Sequence, residues 1–466
     1  MNKKSLFLQI TAYVLTIIIV FAVIISHGTM TIGRFFLAIM AVLAGAAFIY
    51  FCSKKADENT SIRNILEQKV LGLSVCDIIS FLLVTTAAIV IRFTFYPFIS
   101  ADTAIFQQSW YDTAKAAGIS SLGMRIGNYP PLYMTVFCIL AQFFPMMFVV
   151  KFIPIIFDFI IAVFGLKIYC LVCGKQTAFK KLIVYSVLLL NPISVLNASA
   201  WGQSDSLYTG FIMIFIYSLI KLYEGSYTNG DLVFIFLGLA FACKFQTVLI
   251  LPVILLLWII QKQRKISITY FIWIPIMYFA TCIPMFLFHR TLGDLIGVYL
   301  FQVNQYKTYL SQNYANLYSL IGNTGSELSE GSGKFGMFLG IAVLFILYLY
   351  FFKKNIDITS EFILNVTAFT VLTLAFFLPS MHERYAIVGE VIILIIACIK
   401  NKYLPEALAT VLCTTFSYTK YLLYNYELSL PPEWLVAIVR LVILIVLLRK
   451  MFLSDNPVQE GSLYND

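Results

Sequence analysis

Long apolar runs alternate with short polar segments along almost the whole chain. Each of the first three runs, residues 6–26, 35–52 and 78–98, has roughly the 20 residues that a helix needs to cross a bilayer. The later runs repeat this pattern up to the polar C-terminal segment. The pattern predicts an all-α, polytopic integral membrane protein with about 14 transmembrane helices.

The composition supports the same class of protein. Hydrophobic residues make up 61% of the 466 positions and charged residues 12%, whereas soluble domains carry about 25% charged residues. The mean hydropathy is +0.89. These values exclude a soluble globular protein. The first apolar run follows Lys3 and Lys4 and has no small-residue cleavage site after it, so we expect an uncleaved span rather than a signal peptide.

The basic loops indicate the orientation, because short cytoplasmic loops are enriched in Lys and Arg. If run 152–173 crosses the membrane and run 132–150 does not, every later basic loop falls on the inside. We therefore expect 132–150 to lie along the outer interface or to dip in and back, both arms of hairpin 232–260 to cross, and both termini to be cytoplasmic. The loops in question contain Lys180, Lys181, Lys221, Lys262, Arg264, Lys265, Lys353, Lys354, Lys400, Lys402, Arg449 and Lys450.

This distribution accounts for the net charge of +9 without a nucleic-acid partner. The remaining polar residues gather on the predicted outer face. They lie in the long loop 99–151, which we expect to carry juxtamembrane helices, and in a WGQSD turn, a CKFQ hairpin tip, loop 289–335 and the segment SMHERY. The chain has no Walker A, GxGxxG or HExxH motif, so we do not expect a cytosolic nucleotide-driven activity.

Two acidic residues on the predicted outer face have both a chemical and a structural interpretation. Asp102 follows the third span and either acts as a general base toward an acceptor hydroxyl or caps the helix that follows. Asp205 follows Trp201 and Gln203, a set of side chains that suits a sugar site, yet Asp205 also stands where a helix cap is expected.

The basic candidates carry the same ambiguity. Lys244, at the tip of the hairpin, either places a positive charge near a phosphate or extends to the headgroups. His382, Glu383 and Arg384 precede the apolar run 387–398, where a helix N-terminus favours an anion and Arg384 adds a phosphate donor. A salt bridge between Glu383 and Arg384 is the structural alternative.

For three further polar residues the sequence predicts which contacts they make. Asp158 lies inside run 152–173, nine positions from Lys167, which does not suit a facing pair on one helix. We expect its carboxylate to contact a neighbouring helix or another donor. Asn313 and Asn316, in the loop after His289, either contact a substrate or build a turn.

The motifs in order, Asp102, NYPPLY, KFIPIIFD, NPISVLNASAWGQSDSLY, CKFQTVLILP and MHERY, resemble the GT-C superfamily of polyprenyl-phosphate-dependent glycosyltransferases. The pattern looks most like the bacterial multi-spanning enzymes with a WGQxDS turn and is similar to the dolichol-linked glucosyltransferases of the N-glycan pathway. The resemblance covers roughly residues 78–400.

The resemblance implies a sugar on a polyprenyl-phosphate donor, bound at the outer face and transferred with inversion. Asp102 matches the acidic residue that acts as a base or positions the acceptor, and Lys244, His382 and Arg384 match the positions that hold the donor phosphate. Ala104 stands where the family often has a second acid, so no metal requirement is predicted, although a divalent metal stays open. The other expected substrate contacts are Tyr129, Trp201, Gln203, Gln246 and Glu383, with Asp205 as a second catalytic acid.

The sequence thus predicts a hexosyl transferase of cell-envelope glycan assembly, at the extracytoplasmic side of the plasma membrane. Its acceptor is a hydroxyl of a glycan, a lipid or a protein. A transporter or flippase and a polymerase of lipid-linked glycans are the alternatives; a transporter predicts midplane charges and internal repeats, and no repeat is found. Three segments are expected: a two-span N-terminal addition with its cytoplasmic loop (1–76), a catalytic module (77–400), and two spans with a cytoplasmic tail (401–466).

Overall fold

A computed structural model describes residues 69–70, 73–305, 309–322, 327, 330–423 and 431–453. Apart from a short antiparallel pair of strands, β1 (Lys69–Val70) and β2 (Leu73–Ser74), these residues form helices joined by turns. The all-α prediction is therefore confirmed. The first two predicted spans, 6–26 and 35–52, and most of the polar tail lie outside the described residues.

The α-helices of the described residues are named here in chain order. They are α1 (Val75–Thr94), α2 (Gln108–Ala117), α3 (Pro131–Phe143), α4 (Met146–Cys173), α5 (Ala178–Leu190), α6 (Pro192–Val195), α7 (Asp205–Tyr223), α8 (Asp231–Cys243), α9 (Leu251–Ile260), α10 (Trp273–Leu287), α11 (Leu292–Gln305), α12 (Glu330–Lys354), α13 (Ser360–Phe377), α14 (Ile387–Ile399), α15 (Leu404–Leu422) and α16 (Glu433–Leu448).

Six helical segments in the described ranges are long and apolar enough to cross a membrane, and a seventh is added if a bent pair of helices counts as one span. This defines a multi-pass membrane protein. The predicted number of about 14 spans is not reached in this part of the chain. The six segments are Cys76–Thr94, Met146–Cys173, Asp205–Tyr223, Ile268–Leu287, Gly333–Lys354 and Ser360–Phe377, and the bent pair is Ala178–Leu190 with Pro192–Trp201.

The predicted interfacial helix over 132–150 is wrong in its bounds. Helix α3 ends at Phe143, and α4 begins at Met146, directly after Pro145. Proline is well suited to the start of a helix and ends the preceding one, so it divides the run in two. At 13 residues α3 is too short to be a span by length, whereas the second half of the run belongs to the long helix α4.

Three further spans predicted from apolar runs are shorter in the structure. In the hairpin 232–260, α8 has 13 residues and the second arm begins as a 3-10 helix at Phe245 before α9. The run 387–398 forms α14, also of 13 residues. All three are apolar but fall below the length that a straight crossing requires.

The chain forms two units of tertiary contacts. The first contains Met1–Val248, Arg264–Gln305 and Tyr418–Leu428, so it includes α1 to α8, α10, α11 and the last turn of α15. In this unit α7 packs against α4 and α8, and α8 packs against α10. The predicted three-segment division of the chain stays a prediction.

A buried ion pair joins helices of the first unit. Arg92 on α1 donates from Nη2 to Oδ2 of Asp158 at 2.8 Å, and Ser206 on α7 donates to the other carboxylate oxygen at 2.6 Å. Arg92 also donates to the Leu189 carbonyl at the end of α5. The prediction that Asp158 contacts a neighbouring helix is confirmed, because its charge is compensated by groups on α1 and α7.

The second unit contains Leu249–Gln263, Tyr306–Ser417 and Ser429–Asp466, which include α9, α12 to α14, most of α15, and α16. Helix α13 is buried along most of its length and packs against α12, α14 and α16. Asn316 caps a short 3-10 helix by accepting from the Tyr318 amide and donates to the Leu378 carbonyl. The turn-building prediction for Asn316 is confirmed.

Candidate functional site

The segment that carries Asp102 is fixed by a buried lysine. Helix α1 ends at Thr94, and the following residues turn back. Lys151, on α4, is 1% exposed, and its Nζ donates to the carbonyls of Phe95 at 2.6 Å and Phe98 at 2.7 Å. Carbonyls at a helix C-terminus lack intrahelical partners, so the ammonium satisfies them and ties the segment before Asp102 to α4.

Three donors surround the carboxylate of Asp102. Trp201 Nε1 donates to Oδ2 at 3.0 Å, and Gln203 Nε2 donates to the same oxygen at 2.6 Å. The phenol of Tyr421, at the end of α15, donates to Oδ1 at 2.5 Å. The side chain is half-buried and makes no capping hydrogen bond to the helix that follows, so the helix-cap interpretation of Asp102 is wrong.

The WGQSD turn has a backbone that brings Trp201 and Gln203 to the same carboxylate. A π-helix, Leu196–Trp201, ends at Gly202, whose φ of 74° lies in the left-handed region. A Cβ at this position would lie 2.6 Å from Cγ1 of Val150, so both the conformation and the space require glycine. The turn is anchored on both sides of Asp102, since Ser100 donates to the Trp201 carbonyl and Gln107 to the Gly202 carbonyl.

Asp205 and Lys244 form a second, fully buried centre. Lys244 Nζ lies 2.6 Å from Oδ1 of Asp205, and the two side chains are 5% and 0% exposed. Asn197 donates to Oδ2 at 3.3 Å. Ser204 occupies the cap position of α7 and Asp205 is the first residue of the helix, and the burial of Lys244 excludes an extended side chain at the headgroups. Both structural alternatives for these residues are therefore wrong.

Tyr129 connects the two acidic centres. Its phenol donates to Gln203 Oε1 at 3.1 Å, while Lys244 Nζ lies 5.4 Å from the centre of its ring. A cation over an aromatic face is an attractive contact. Asp102, Gln203, Tyr129, Lys244 and Asp205 thus form a continuous chain of polar contacts in the first unit.

Gln246, also predicted at the substrate, lies two residues beyond Lys244 in the 3-10 helix that follows α8. Its Oε1 is buried and accepts no hydrogen bond from the described residues. It lies in the same unit as the chain of polar contacts but is not hydrogen-bonded to it in this part of the structure.

His382, Glu383 and Arg384 belong to the second unit. Arg384 Nη1 lies 2.7 Å from Glu383 Oε1, as the salt-bridge alternative predicts. Backbone bonds fix the segment: Gln312 N donates to the Met381 carbonyl and Glu383 N to the Gln312 carbonyl. All three residues lie in this unit, and their predicted contact with a donor phosphate stays a prediction.

The structure adds residues that the sequence did not single out. Tyr421 stacks on Trp201, with ring centroids 4.5 Å apart and an interplanar angle of 18°, and Tyr418 meets the same indole edge-on at 5.3 Å. Trp201 is 0% exposed, so its ring is occupied by protein. The two tyrosines stand near the end of an apolar helix among 28 tyrosines in the chain, and no local pattern marks them.

Among the residues with described positions, no three His, Cys, Asp or Glu side chains come together in the way that a metal ion requires. No protein-family model matches the chain, and no curated protein matches it in sequence. The fold and the apolar helices define a multi-pass helical membrane protein.

Proposed function

We propose that this protein is a membrane glycosyltransferase that moves a hexose from a polyprenyl-phosphate donor to an acceptor hydroxyl at the extracytoplasmic side of the plasma membrane. One observation carries the proposal: Asp102, just beyond the end of a candidate span, is half-buried and held by three donors. A carboxylate oriented in this way at the membrane surface suits a general base that meets a lipid-linked substrate.

The count of hydrogen bonds supports a free acceptor position on Asp102. An ionised carboxylate has about four lone-pair sites, and three are filled by Trp201, Gln203 and Tyr421. Roughly one site is left for an incoming hydroxyl, and the partial exposure of the side chain gives that hydroxyl access. The three donors also hold the carboxylate in one orientation, which lowers the entropic cost of reaching the reactive geometry.

In the proposed reaction the acceptor oxygen attacks the anomeric carbon as the bond from that carbon to the phosphate oxygen breaks. The hydroxyl proton passes to Asp102, and the electron pair leaves with the polyprenyl phosphate. The configuration at the anomeric carbon is inverted. Charge develops on the leaving phosphate, so fixed positive groups near it are expected to contribute the largest stabilisation, about 10²–10³ in rate for one donor.

Lys244 is the proposed ligand of that phosphate in the first unit. An ammonium has three N–H donors, and one is used by Asp205. Asp205 then positions the ammonium instead of touching the sugar. In the second unit, His382 and Arg384 are proposed as phosphate-binding residues on the strength of the family resemblance alone, with Glu383 holding Arg384.

The aromatic residues divide into two groups in this proposal. Trp201 is fully buried, so it donates a hydrogen bond to Asp102 and provides the surface on which the Tyr421 ring stacks. The rings of Tyr421 and Tyr129 are partly exposed and lie beside the polar chain, which suits the apolar face of a sugar. Gln203 orients both Asp102 and Tyr129.

The experiment uses membranes that contain the full chain and a panel of polyprenyl-phosphate sugars, with consumption of each donor as the readout. Asp102→Asn should abolish transfer, while donor binding and expression stay close to those of the parent. Asp112→Asn is the matched control, because Asp112 is exposed on α2 and accepts only a local bond from Gln108. Normal turnover by the Asp102→Asn protein would refute the proposal.

A further inference from the structure

Arg290 is a buried cation that has no matching anion among the described residues. It follows α10 and is 5% exposed, yet its guanidinium has one acceptor among the described residues, the thioether of Met285 at 3.5 Å from Nη1. Nε and Nη2 are buried without a hydrogen-bond partner in the same part of the chain. A guanidinium offers five N–H donors, so most of its capacity is unused.

No neighbouring group in the described ranges supplies the missing charge. Asp294 is the one carboxylate that interacts with Arg290 electrostatically, but it accepts a hydrogen bond from Thr291 and forms no ion pair with the arginine within 4.0 Å. Burial raises the pKa of the nearby Cys138 thiol, which keeps the thiol neutral. Burial also lowers the pKa of Arg290, as expected for a cation whose environment does not compensate it.

A second arginine stands close to the first. Arg125 is exposed, and its guanidinium lies 5.3 Å from the ring centre of Phe301 on α11. The two arginines repel each other electrostatically. Their segments meet in close contact, since a Cβ on Gly123 would lie 2.2 Å from the carbonyl oxygen of Phe288. Two like charges held together by backbone packing are stabilised when an anion lies between them.

The surroundings place these arginines at a membrane surface. The candidate span Ile268–Leu287 ends three residues before Arg290. Helix α11 then exposes Leu292, Ile296 and Leu300, one per turn, as an interfacial helix does with its lipid-facing side. The anion most available at the end of a span is the phosphate of a lipid headgroup, and a guanidinium matches phosphate oxygens in pairs.

We infer that Arg290 and Arg125 form a binding site for a phosphate group at the membrane surface, with a phospholipid headgroup as its source. Arg125 receives the phosphate at the exposed side. Arg290 exchanges its weak thioether contact for phosphate oxygens, which the flexible Met285 side chain allows. The site is independent of the proposed transferase reaction.

The test uses the purified, delipidated full chain in a neutral detergent, with thermal unfolding followed during titration. Three additions are compared: phosphatidylglycerol, diacylglycerol with the same acyl chains, and inorganic phosphate. We expect phosphatidylglycerol to raise Tm and diacylglycerol to leave it unchanged. Arg125→Gln and Arg290→Lys should weaken the phosphatidylglycerol effect by about 10-fold or more in apparent Kd, since each loses charge-assisted hydrogen bonds.

Arg264→Gln is the matched control, because Arg264 is an exposed arginine in the loop after α9 and should bind phosphatidylglycerol like the parent. If Arg290→Lys does not fold, the exposed Arg125→Gln variant still decides the question. If inorganic phosphate raises Tm of the parent but has a weaker effect on the arginine variants, the phosphate site is supported, with free phosphate as its source. Equal effects of phosphatidylglycerol and diacylglycerol, or an unchanged phosphatidylglycerol titration in Arg125→Gln, would overturn the inference.

Discussion

The phenol of Tyr421 lies 2.5 Å from Oδ1 of Asp102, although 319 positions separate the two residues. The ring of Tyr421 also stacks on Trp201, whose indole N–H donates to the other oxygen of the same carboxylate. One stacked pair of aromatic side chains therefore fixes both oxygens of Asp102. The orientation of this carboxylate depends on two distant segments of the chain, the WGQSD turn and the end of α15.

Tyr421→Phe tests the phenol without disturbing the stack. The variant keeps the ring on Trp201 and loses one hydrogen bond to a charged group, a contact of about 1.5–3 kcal/mol. We expect sugar transfer to fall by about 10- to 100-fold while the unfolding temperature changes little. Rates measured on Tyr421→Phe, Asp102→Asn and the double variant check this. If Tyr421→Phe and parent membranes turn over equally, the phenol has no part in the reaction.

The buried Lys244–Asp205 pair should behave differently from a surface pair of the same length. Lys244→Met leaves Asp205 buried without a counter-charge, which typically costs about 3–5 kcal/mol of the free energy of unfolding. Adding Asp205→Asn should recover most of that loss, because the uncompensated charge is removed. The measurement is chemical or thermal unfolding of the purified single and double variants.

Lys262→Met is the control for the pair. Lys262 Nζ and Asp357 Oδ1 are also 2.6 Å apart, but their side chains are 49% and 79% exposed. Breaking such a pair should cost about 1 kcal/mol or less. Comparable losses of unfolding free energy for Lys244→Met and Lys262→Met would show that burial does not set the contribution of the Lys244–Asp205 pair to stability.

Gly202→Ala should be more harmful than Gly118→Ala. Both glycines have positive φ, 74° and 64°. The backbone cost of a substitution is about 1–2 kcal/mol at Gly202, which is left-handed, and about 1–3 kcal/mol at Gly118, whose ψ is −151°. At Gly118 the added methyl meets open space, whereas at Gly202 it meets Val150 at 2.6 Å. We expect Gly202→Ala to lose a further ~1–3 kcal/mol of unfolding free energy. Val150→Ala in the Gly202→Ala background should restore part of it.

Lys151→Met should loosen the segment that leads to Asp102. Without the ammonium, the carbonyls of Phe95 and Phe98 lose a buried donor. Hydrogen exchange in a peptide covering 95–104 should become about 10-fold faster or more, since local opening then costs less. Lys115→Met is the control, because Lys115 makes one exposed bond, to the Gln142 carbonyl. Unchanged exchange in the Lys151→Met peptide would contradict this account.

Local patterns predicted the helical class and several element bounds. The third apolar run, 78–98, forms α1, and the apolar run after the WGQSD turn forms α7. Periodicity and length succeed there because each helix is apolar along a continuous stretch. They fail at 132–150, where Pro145 divides a uniformly apolar run into two helices, and at the hairpin 232–260, whose arms are too short to cross.

The candidate site was also predictable only in part. The sequence marked Asp102, Trp201, Gln203, Lys244 and Asp205 as polar residues in apolar surroundings, and all five belong to one chain of contacts. The pairing of Lys244 with Asp205 was not predictable, since 39 positions separate them and each had a plausible solitary role. Tyr421 was not marked because a tyrosine at the end of an apolar helix is common, and only tertiary packing brings it to Asp102.

The hydrogen bonds between Tyr129 and Asp102 have a direction. Gln203 directs Nε2 toward the carboxylate of Asp102, because an ionised carboxylate can only accept hydrogen bonds. Its Oε1 is then left to accept from the phenol of Tyr129. The phenol proton is thereby committed to Gln203, and both bonds point toward the acid. A proton taken up by Asp102 cannot retreat along this path unless the amide rotates. Because a primary amide does not relay protons, Gln203 isolates the proton balance of Asp102 from the Lys244 pair.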